Sequence, residues 1–435
     1  MKVWLKSFLF LLLNAALLYS QWSQDPTVNT VLDKPGNQRA PLIATDGKGG
    51  AIVAWDEDNG VFANWVDRFG FRQWGNDGVR ITPVGRIALV TNIISDGEGG
   101  AVIVWEDLTH AREVGTEVID IIENEMFVQR VDSSGQLLWH PSGVAVRTKI
   151  DSTTAFNFEM VTSDHEEFIV VWTEDRRHPY PQSLPLDFFA QKIDLDGNLL
   201  WQENGALITV DGGLVNVRRR VVTDGAGGFL LARFGEGNGN TVVERISSEG
   251  ELLWQPGGVP VNTGGAFDMD SGGQGGAVVA GVYFPGGGIV QVRVQRISPN
   301  GELLWGESAT VVTDGADLDT SPHIVSDGHY GAYIYWDAKD LNGERKGFLQ
   351  HIDDSGTILW SPIAVRFNVT STIHPFFISD LQDGMILLAI DFFGTSEGQF
   401  WAVKADFDGN LGWTEQGVLF RQRPVNDWPF VFDVV

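Results

Sequence analysis

The chain of 435 residues carries 30 basic and 57 acidic side chains, has a formal net charge of −27 and contains no cysteine. A chain this acidic repels nucleic acid and anionic membrane surfaces, so we expect neither as a partner. The lack of cysteine excludes both a small disulfide-stapled domain and a lipid-anchored lipoprotein.

The first twenty residues form a segment of their own. Lys2 and Lys6 precede the apolar run Phe8 to Leu13, a pattern typical of a secretory signal peptide that is cleaved near Ser20. This run is too short to span a bilayer comfortably, and no later segment is apolar enough to span one. We therefore expect residues 21–435 to form a single monomeric domain that is secreted or periplasmic in a bacterium.

One unit recurs along the rest of the chain. Each copy has an apolar run with a glycine turn, such as Asp46 to Gly50, then a second apolar strand such as the one that ends at Trp55. Aspartate and glycine tolerate the left-handed backbone of a tight hairpin, and an unbroken apolar run indicates a strand that is covered on both faces. A variable loop, a third strand, a turn and a fourth strand complete the unit. The pattern predicts an all-β fold, a seven-bladed β-propeller of four-stranded antiparallel blades.

The fourth strand of every unit carries a tryptophan. The seven copies are Trp74, Trp139, Trp201, Trp254, Trp305, Trp360 and Trp413. A buried tryptophan contributes a large apolar surface, so we expect these side chains to pack between adjacent blades. The alternative is that they are exposed platforms on which sugars stack.

The two ends of the chain each carry an extra strand pattern. Val28 to Leu32 repeats the pattern of a fourth strand and could complete the last blade from the beginning of the chain. Pro429 to Val435 resembles a first strand, and the two extras do not both fit one ring of seven blades. An eighth, partial blade is therefore an alternative, since an unclosed ring leaves a sheet edge open to association.

The recurrent turn and tryptophan resemble two known propeller motifs. They resemble the Asp-box of sialidase-type propellers and the tryptophan-docking motif of quinoprotein propellers, although the spacing from Asp132 to Trp139 differs from both. The longer pattern, SDGxGGAxVxW followed by QRxDxxGxLLW, is more similar to the tandem repeats of secreted bacterial propeller proteins, over about residues 22–425. That resemblance implies a propeller fold and export, and it implies no catalytic residues.

The loops that follow the second strands form a long, irregular and acidic rim. Its predicted binding residues are Asp56, Asp58, Glu106, Asp107, Glu174, Asp175, Arg176, Arg177, His178, Tyr180 and Asp337. Two insertions, Leu108 to Glu125 and Thr173 to Asp187, enlarge this rim. Irregular loops often carry function, so we expect the rim to bind a protein partner or a glycan. The alternative is that its acids are solvated loop starts in an acidic protein.

No cofactor is expected, with calcium as the one alternative, because carboxylate oxygens suit hard cations. The turns Asp194 to Asn198 and Asp406 to Asn410 resemble the opening of a calcium loop, but they lack the later ligands. Ordinary turn chemistry explains both of them.

A polar row along the first strands is a second candidate site. Aligning these strands on their turns gives Leu42, Asn92, Met160, Arg220, Asp268, His323 and Phe376. An alternating polar row beside a propeller axis should face the central channel, where Arg218 and Arg220 would neighbour Asp268 and Asp270. These charges would either form a site or only neutralise one another in the channel lining.

The sequence contains no nucleophile elbow, zinc-binding histidine spacing or phosphate loop. A glycosidase needs two carboxyl groups that face each other, and the sequence alone does not select a pair. We therefore expect an exported, non-catalytic binding or scaffold protein. The first alternative is a carbohydrate-active enzyme, a hydrolase or lyase, with acidic residues at the same rim. The second is a purely structural module of a surface assembly.

Overall fold

The architecture is taken from a computed structural model. It describes residues 38–58, 60–108, 112–113, 119–120, 124–148, 155–163, 167–174, 176, 187–210, 219–234, 240–314, 322–339, 343, 345–360, 365–367, 376–379, 384–391, 397–412 and 418–424. The expected signal segment, the extra strand Val28 to Leu32 and the tail Pro429 to Val435 lie outside these residues. In the described part of the chain, no helix is long and apolar enough to cross a membrane.

Regular structure in the described residues consists of β-strands. In chain order they are β1 (Arg39–Thr45), β2 (Ala51–Glu57), β3 (Gly60–Val66), β4 (Val79–Arg80), β5 (Ala88–Ser95), β6 (Ala101–Asp107), β7 (Arg112–Glu113), β8 (Ile119–Asp120), β9 (Glu125–Val131), β10 (Val144–Arg147), β11 (Ala155–Ser163), β12 (Glu167–Glu174), β13 (Asp187–Ile193), β14 (Ala206–Thr209), β15 (Arg219–Thr223), β16 (Phe229–Phe234), β17 (Thr241–Ile246), β18 (Val259–Pro260), β19 (Gly265–Gly273), β20 (Gly276–Gly286), β21 (Ile289–Ile297), β22 (Thr310–Asp314), β23 (His323–Ser326), β24 (Ala332–Lys339), β25 (Arg345–Ile352), β26 (Val365–Phe367), β27 (Phe376–Ser379), β28 (Gly384–Asp391), β29 (Glu397–Asp406) and β30 (Val418–Pro424).

Within the described residues these strands form seven four-stranded antiparallel sheets, each a meander of neighbouring strands. They are sheet 1 (β1 to β4), sheet 2 (β5, β6, β9 and β10), sheet 3 (β11 to β14), sheet 4 (β15 to β18), sheet 5 (β19 to β22), sheet 6 (β23 to β26) and sheet 7 (β27 to β30). The small hairpin of β7 and β8 lies in the insertion after β6. The predicted all-β propeller fold of four-stranded antiparallel blades is thereby confirmed, and closure of a ring of seven blades stays a prediction.

The chain divides into two compact units. Among the described residues, 38–108 and 126–145 belong to the first unit, and the others belong to the second. In the first unit β1 lies beside β5. In the second unit the first strands β11, β15, β19, β23 and β27 lie beside one another in that order. Within each unit, successive sheets therefore stack through their first strands, as propeller blades do.

The second strands form the centre of each sheet because they are apolar on both faces. Every residue of β12 except Glu167 is buried. Ile169 and Val171 of β12 pack with Val221 and Leu231 of sheet 4, so one face of sheet 3 is covered by its neighbour. The tryptophan that ends the apolar run also packs within its own sheet, where the Trp172 ring stacks on Phe189 with centroids 6.2 Å apart.

The recurrent tryptophan was predicted on the fourth strand but lies in the segment before it, as Trp305 precedes β22. In sheets 1, 3, 4, 5 and 6 it joins the sheet to the next one. The Trp305 backbone N–H donates to Gln295 Oε1 (3.0 Å), and its indole Nε1 donates to the Asp354 carbonyl in sheet 6 (3.0 Å). The indole packs against Gly356, whose φ of +84° and proximity to the ring leave no room for a Cβ. The same indole bond recurs as Trp74 to Ser133, Trp201 to Ser248, Trp254 to Pro299 and Trp360 to Phe407. The predicted wedge role is thereby confirmed for these five tryptophans. Trp139 is also buried, and Trp413 lies outside the described residues.

Trp305→Ala is expected to lower the free energy of unfolding by about 3–5 kcal/mol, because it removes the wedge and leaves a cavity between two sheets. Chemical denaturation measures this change. The control is Leu304→Ala at the adjacent position, where the leucine is 43% exposed and its loss should cost at most about 0.5 kcal/mol. Equal destabilisation by the two substitutions would contradict the wedge role.

Candidate functional site

Most of the described acids of the predicted rim are buried inside the fold. Glu174 is fully buried, with Arg147 Nη2 2.5 Å from its Oε1 and Arg176 Nη2 2.9 Å from its Oε2. Trp172 Nε1 also donates to Glu174 Oε2 (3.1 Å). Burial alone would raise the pKa of Glu174, but the hydrogen bond and charge of Arg147 and those of Arg176 lower it to about 2. Arg176 is therefore engaged by Glu174, and its guanidinium also lies 3.8 Å from the centre of the Phe189 ring.

Three further rim acids are also buried and bonded. Asp107 pairs with Arg86 Nη1 at 2.9 Å, and Asp337 accepts a hydrogen bond from the Tyr335 hydroxyl. Asp56 accepts a hydrogen bond from the Val90 backbone N–H (2.5 Å), which ties β2 to the first strand of sheet 2. These carboxylates fasten the fold and are not presented to a ligand, which differs from both interpretations of the sequence.

The other rim residues are more accessible or lie outside the described residues. Asp58 is exposed and pairs with Arg39 at 3.1 Å, and Glu106 is half-buried. The remaining predicted rim residues, Asp175, Arg177, His178 and Tyr180, lie outside the described residues and stay predictions, as does most of the insertion Thr173 to Asp187.

Burial of Asp56 couples the stability of the first unit to pH. Burial raises its pKa to about 6, and the hydrogen bond from Val90 and the charge of Arg39 offset this only in part. The folded state therefore holds a proton that the unfolded state releases near pH 3.8, so this group lowers stability as pH rises from about 4 through about 6.

Asp56→Asn should remove that dependence, because the amide oxygen still accepts the Val90 N–H and carries no charge. We expect the variant to match the wild type near pH 4 and to exceed it by about 2–3 kcal/mol near pH 7.5. Denaturation of both proteins across this pH range checks the difference. A constant gap across the range would contradict it, and Asp58→Asn serves as the exposed control.

A cluster of charged and titratable side chains lies on the first strands of the second unit. In sheets 3 to 6, one residue of each first strand pairs with the fourth residue of the apolar run on the second strand. The pairs are Glu159↔Val171, Arg220↔Ala232, Asp268↔Ala280 and His323↔Tyr335. We call these four first-strand residues the inner row. Three of them were predicted from the sequence, and Glu159 was missed.

The sequence alignment placed Met160 in the row because it used Asp164 as the turn residue of sheet 3. In the structure Thr162 pairs with Phe168 as Thr223 pairs with Phe229, so Ser163 occupies the turn position. This shifts the row by one residue, and Met160 is buried at 6% exposure. Aligning the second-strand runs FIVVW and FLLAR instead of the turns would have identified Glu159.

A β-bulge immediately precedes both carboxylates of the inner row. The register shifts between Phe156 and Glu159 in β11, and between Gly265 and Asp268 in β19. Asn157, inside the first bulge, has a φ of 59°, which is uncommon for a residue other than glycine. The register shifts in the same way before Leu42 in β1 and Asn92 in β5, so the bulge is a feature of the repeat that directs the side chain at this position.

Hydrogen bonds and ion pairs link the inner row from strand to strand. Glu159 accepts the Val221 N–H at 2.9 Å, and its Oε1 lies 3.2 Å from Arg219 Nε. Asp268 lies 3.4 Å from Arg220 Nε and 3.5 Å from His323 Nδ1. The first strand is an edge strand with unpaired N–H groups, and these carboxylates satisfy some of them.

The surroundings of the two carboxyl groups of the row shift their pKa values in opposite directions. Burial raises the pKa of Glu159, and the charges of Arg219 and Arg220 offset this only in part. Burial also acts on Asp268, but the hydrogen bond with His323 and the charge of Arg220 outweigh it and lower the pKa. The side chains of Glu159 and Asp268 are 23% and 15% exposed, so solvent reaches both groups.

The other predicted channel residues have separate environments. Asp270 accepts the Ser326 N–H at 2.8 Å, and burial raises its pKa. Asn92 is half-buried in the first unit, at the position in β5 that corresponds to the inner row. Arg218 lies outside the described residues.

The structure offers no strong metal site in the part of the chain that it describes, where no group of three or more His, Asp or Glu side chains could hold a metal ion. In the turn that resembles a calcium loop, Asp194 Oδ1 accepts the Asn198 N–H and Asp194 Oδ2 accepts the Asn198 side-chain amide (2.8 Å each). Asp406 and Asn410 repeat this arrangement. Both carboxylates are thus engaged in closing their own turns.

Comparison with known proteins gives no family. No family model and no curated protein matches the chain. One similar solved structure is prolyl oligopeptidase B from Galerina marginata with a macrocyclization substrate, at 13% identity and a TM-score of 0.48, covering 90% of this chain and 51% of that one. The chain thus spans about half the length of that enzyme.

Two other similar structures act on carbohydrates according to their names. An oligogalacturonate lyase in complex with manganese has 12% identity and a TM-score of 0.41, covering 88% of this chain and 93% of that one. An α-L-arabinofuranosidase from Fusarium graminearum with an iminosugar inhibitor has 12% identity and a TM-score of 0.35, covering 74% and 96%.

These similar structures are enzymes, and the expectation of a non-catalytic binding or scaffold protein is therefore wrong. They agree better with the alternative of a carbohydrate-active enzyme. At these identities no residue role or substrate transfers to this chain. Membership of the secreted bacterial tandem-repeat proteins stays a prediction, because no family model matches.

Proposed function

We propose that the protein is a carbohydrate-active enzyme that cleaves glycosidic bonds at the inner row. The observation that carries the proposal is the placement of Glu159 and Asp268 at one register on β11 and β19, with Arg220 on the intervening strand β15. Glycosidic cleavage uses two carboxyl groups, one protonated and one ionised. The environments of Glu159 and Asp268 shift their pKa values in these opposite directions.

In this proposal Glu159 is the proton donor. Its raised pKa keeps a proton available for the oxygen that leaves the cleaved bond. The Val221 N–H and Arg219 hold the carboxyl group in place. Asp268 is the ionised partner, which either activates water or stabilises the positive charge that develops on the sugar.

Arg220 and His323 adjust Asp268 and its surroundings. Both side chains lie within 3.5 Å of an Asp268 carboxylate oxygen, and both favour its ionised form. The His323 imidazole beside a carboxylate is also suited to removing a proton. The cleavage therefore proceeds either by hydrolysis or by elimination from a uronic acid. The ultraviolet absorbance of an unsaturated product distinguishes the two reactions.

We place this chemistry on the inner row and not on the acidic rim, because Asp56, Asp107, Glu174 and Asp337 are buried and bonded inside the fold. The rim loops remain candidates for binding the glycan outside the cleaved bond. Export through the N-terminal signal segment remains part of the proposal, since a polysaccharide substrate is encountered outside the cell.

Glu159→Gln tests the function most directly. Glutamine keeps the acceptor for the Val221 N–H and cannot donate the proton, so turnover should fall by about 10²–10⁴-fold. In the wild type, activity should fall as pH rises through the pKa of Glu159, and thermal melting should show that the variant is folded. The measurement is release of reducing ends from arabinan, xylan and polygalacturonate.

The matched control is Glu302→Gln, an exposed glutamate in the turn between β21 and β22 of sheet 5, which should retain wild-type turnover. Full turnover by a folded Glu159→Gln protein would refute its assignment as the proton donor. A wild type that is inactive on all three polysaccharides would count against the enzyme proposal itself.

A further inference from the structure

The hairpin between β20 and β21 projects further than the corresponding hairpin of sheet 1. In sheet 1 the last pair, Glu57↔Gly60, lies two residues beyond Trp55. In sheet 5 Gly281 holds the position of Trp55, and pairing continues to Gly286↔Ile289. The three extra residues extend the β20 hairpin by about 10 Å.

The tip of this hairpin is apolar and exposed. Phe284 is 69% exposed and Ile289 is 41% exposed, and Pro285 and three glycines lie between them. Phe284 is the most exposed aromatic side chain in the described part of the chain. Burial of these side chains against a ligand would contribute free energy that the exposed tip does not use.

The hairpin is braced at its base. The Arg293 guanidinium lies 3.5 Å from the centre of the Tyr283 ring. Arg293 Nε donates to Gln291 Oε1 at 2.9 Å, and its Nη1 donates to the Ser308 carbonyl at 3.2 Å. These contacts hold the strand next to Phe284, which limits the entropy that a ligand would have to remove on binding.

Phe284 lies on the strand that pairs with the inner row. Asp268 pairs with Ala280, and Phe284 follows four residues later along the same strand. Four residues of extended chain span about 13 Å. A glycan bound at Asp268 reaches this distance with a few sugar rings, whose apolar C–H faces pack on aromatic rings.

We propose that Phe284, with Ile289 beside it, is a stacking platform that binds the glycan chain away from the cleaved bond. This inference rests on the proposed function, because it takes the glycan as the ligand of the inner row. It makes Phe284 a determinant of affinity for long substrates and gives it no part in the bond cleavage.

The test is native electrophoresis through gels that contain arabinan, xylan or polygalacturonate. The wild type should be retarded in at least one gel, and Phe284→Ala should bind the same polysaccharide about tenfold more weakly, which corresponds to the loss of one aromatic contact. Phe69→Ala is the matched control. Phe69 is 44% exposed in the turn between β3 and β4, and its replacement should leave retardation unchanged.

Thermal melting of Phe284→Ala should match that of the wild type, since the side chain is exposed. Equal migration of Phe284→Ala and wild type in all three gels would overturn the platform, and so would a wild type that none of the gels retards. A Glu159→Gln protein with full turnover, combined with weaker binding by Phe284→Ala, would overturn the catalytic assignment and leave the platform intact.

Discussion

The hydrogen bond from the recurrent tryptophan's indole to the next sheet is the constraint on which the other features depend. It fixes the indole against a turn of the neighbouring sheet, and that turn has a glycine packed against the ring, as Gly356 is packed against Trp305. A Cβ there would lie 2.7 Å from the ring, and the φ of +84° already favours glycine. Gln295 fixes the backbone of the same tryptophan. The recurrent sequence thus encodes the contact between sheets as well as the strands.

Because the tryptophan contacts are made between the third and fourth strands, they leave the first strands free to differ from one another. Each first strand has an edge whose N–H groups lack strand partners, and carboxylates from the preceding sheet accept several of them. Glu159 accepts from Val221, and Asp268 accepts from Ile324. In the first unit Asp56 accepts from Val90. Acids beside the first strands therefore stabilise the fold by accepting backbone N–H groups, whether or not they take part in catalysis. This role helps to explain why some of them are buried.

The sequence predicted the blades because their signals are local and repeated, whereas the environment of each acid depends on distant partners. Glu174 resembled an exposed loop start, yet Arg147, 27 residues earlier, neutralises it inside the fold. No sequence pattern near Glu174 predicts its pairing with Arg147. Glu159 escaped detection for a different reason, since Ser163 replaces the turn aspartate and shifts the alignment by one residue. The second-strand run was the better reference because core packing fixes its register.

The inner row has charged and titratable residues at a register where stability of the fold does not require them. At the same register the first unit has Leu42 and Asn92, and its first strands fold with neither an acid nor a base there. The second unit instead has an acid, a base, an acid and a histidine on four consecutive first strands. Residues that depart from the pattern of a repeat without a structural reason are expected at functional sites. The contrast between Asn92 and Asp268, which occupy equivalent positions with different chemistry, therefore favours a site in the second unit.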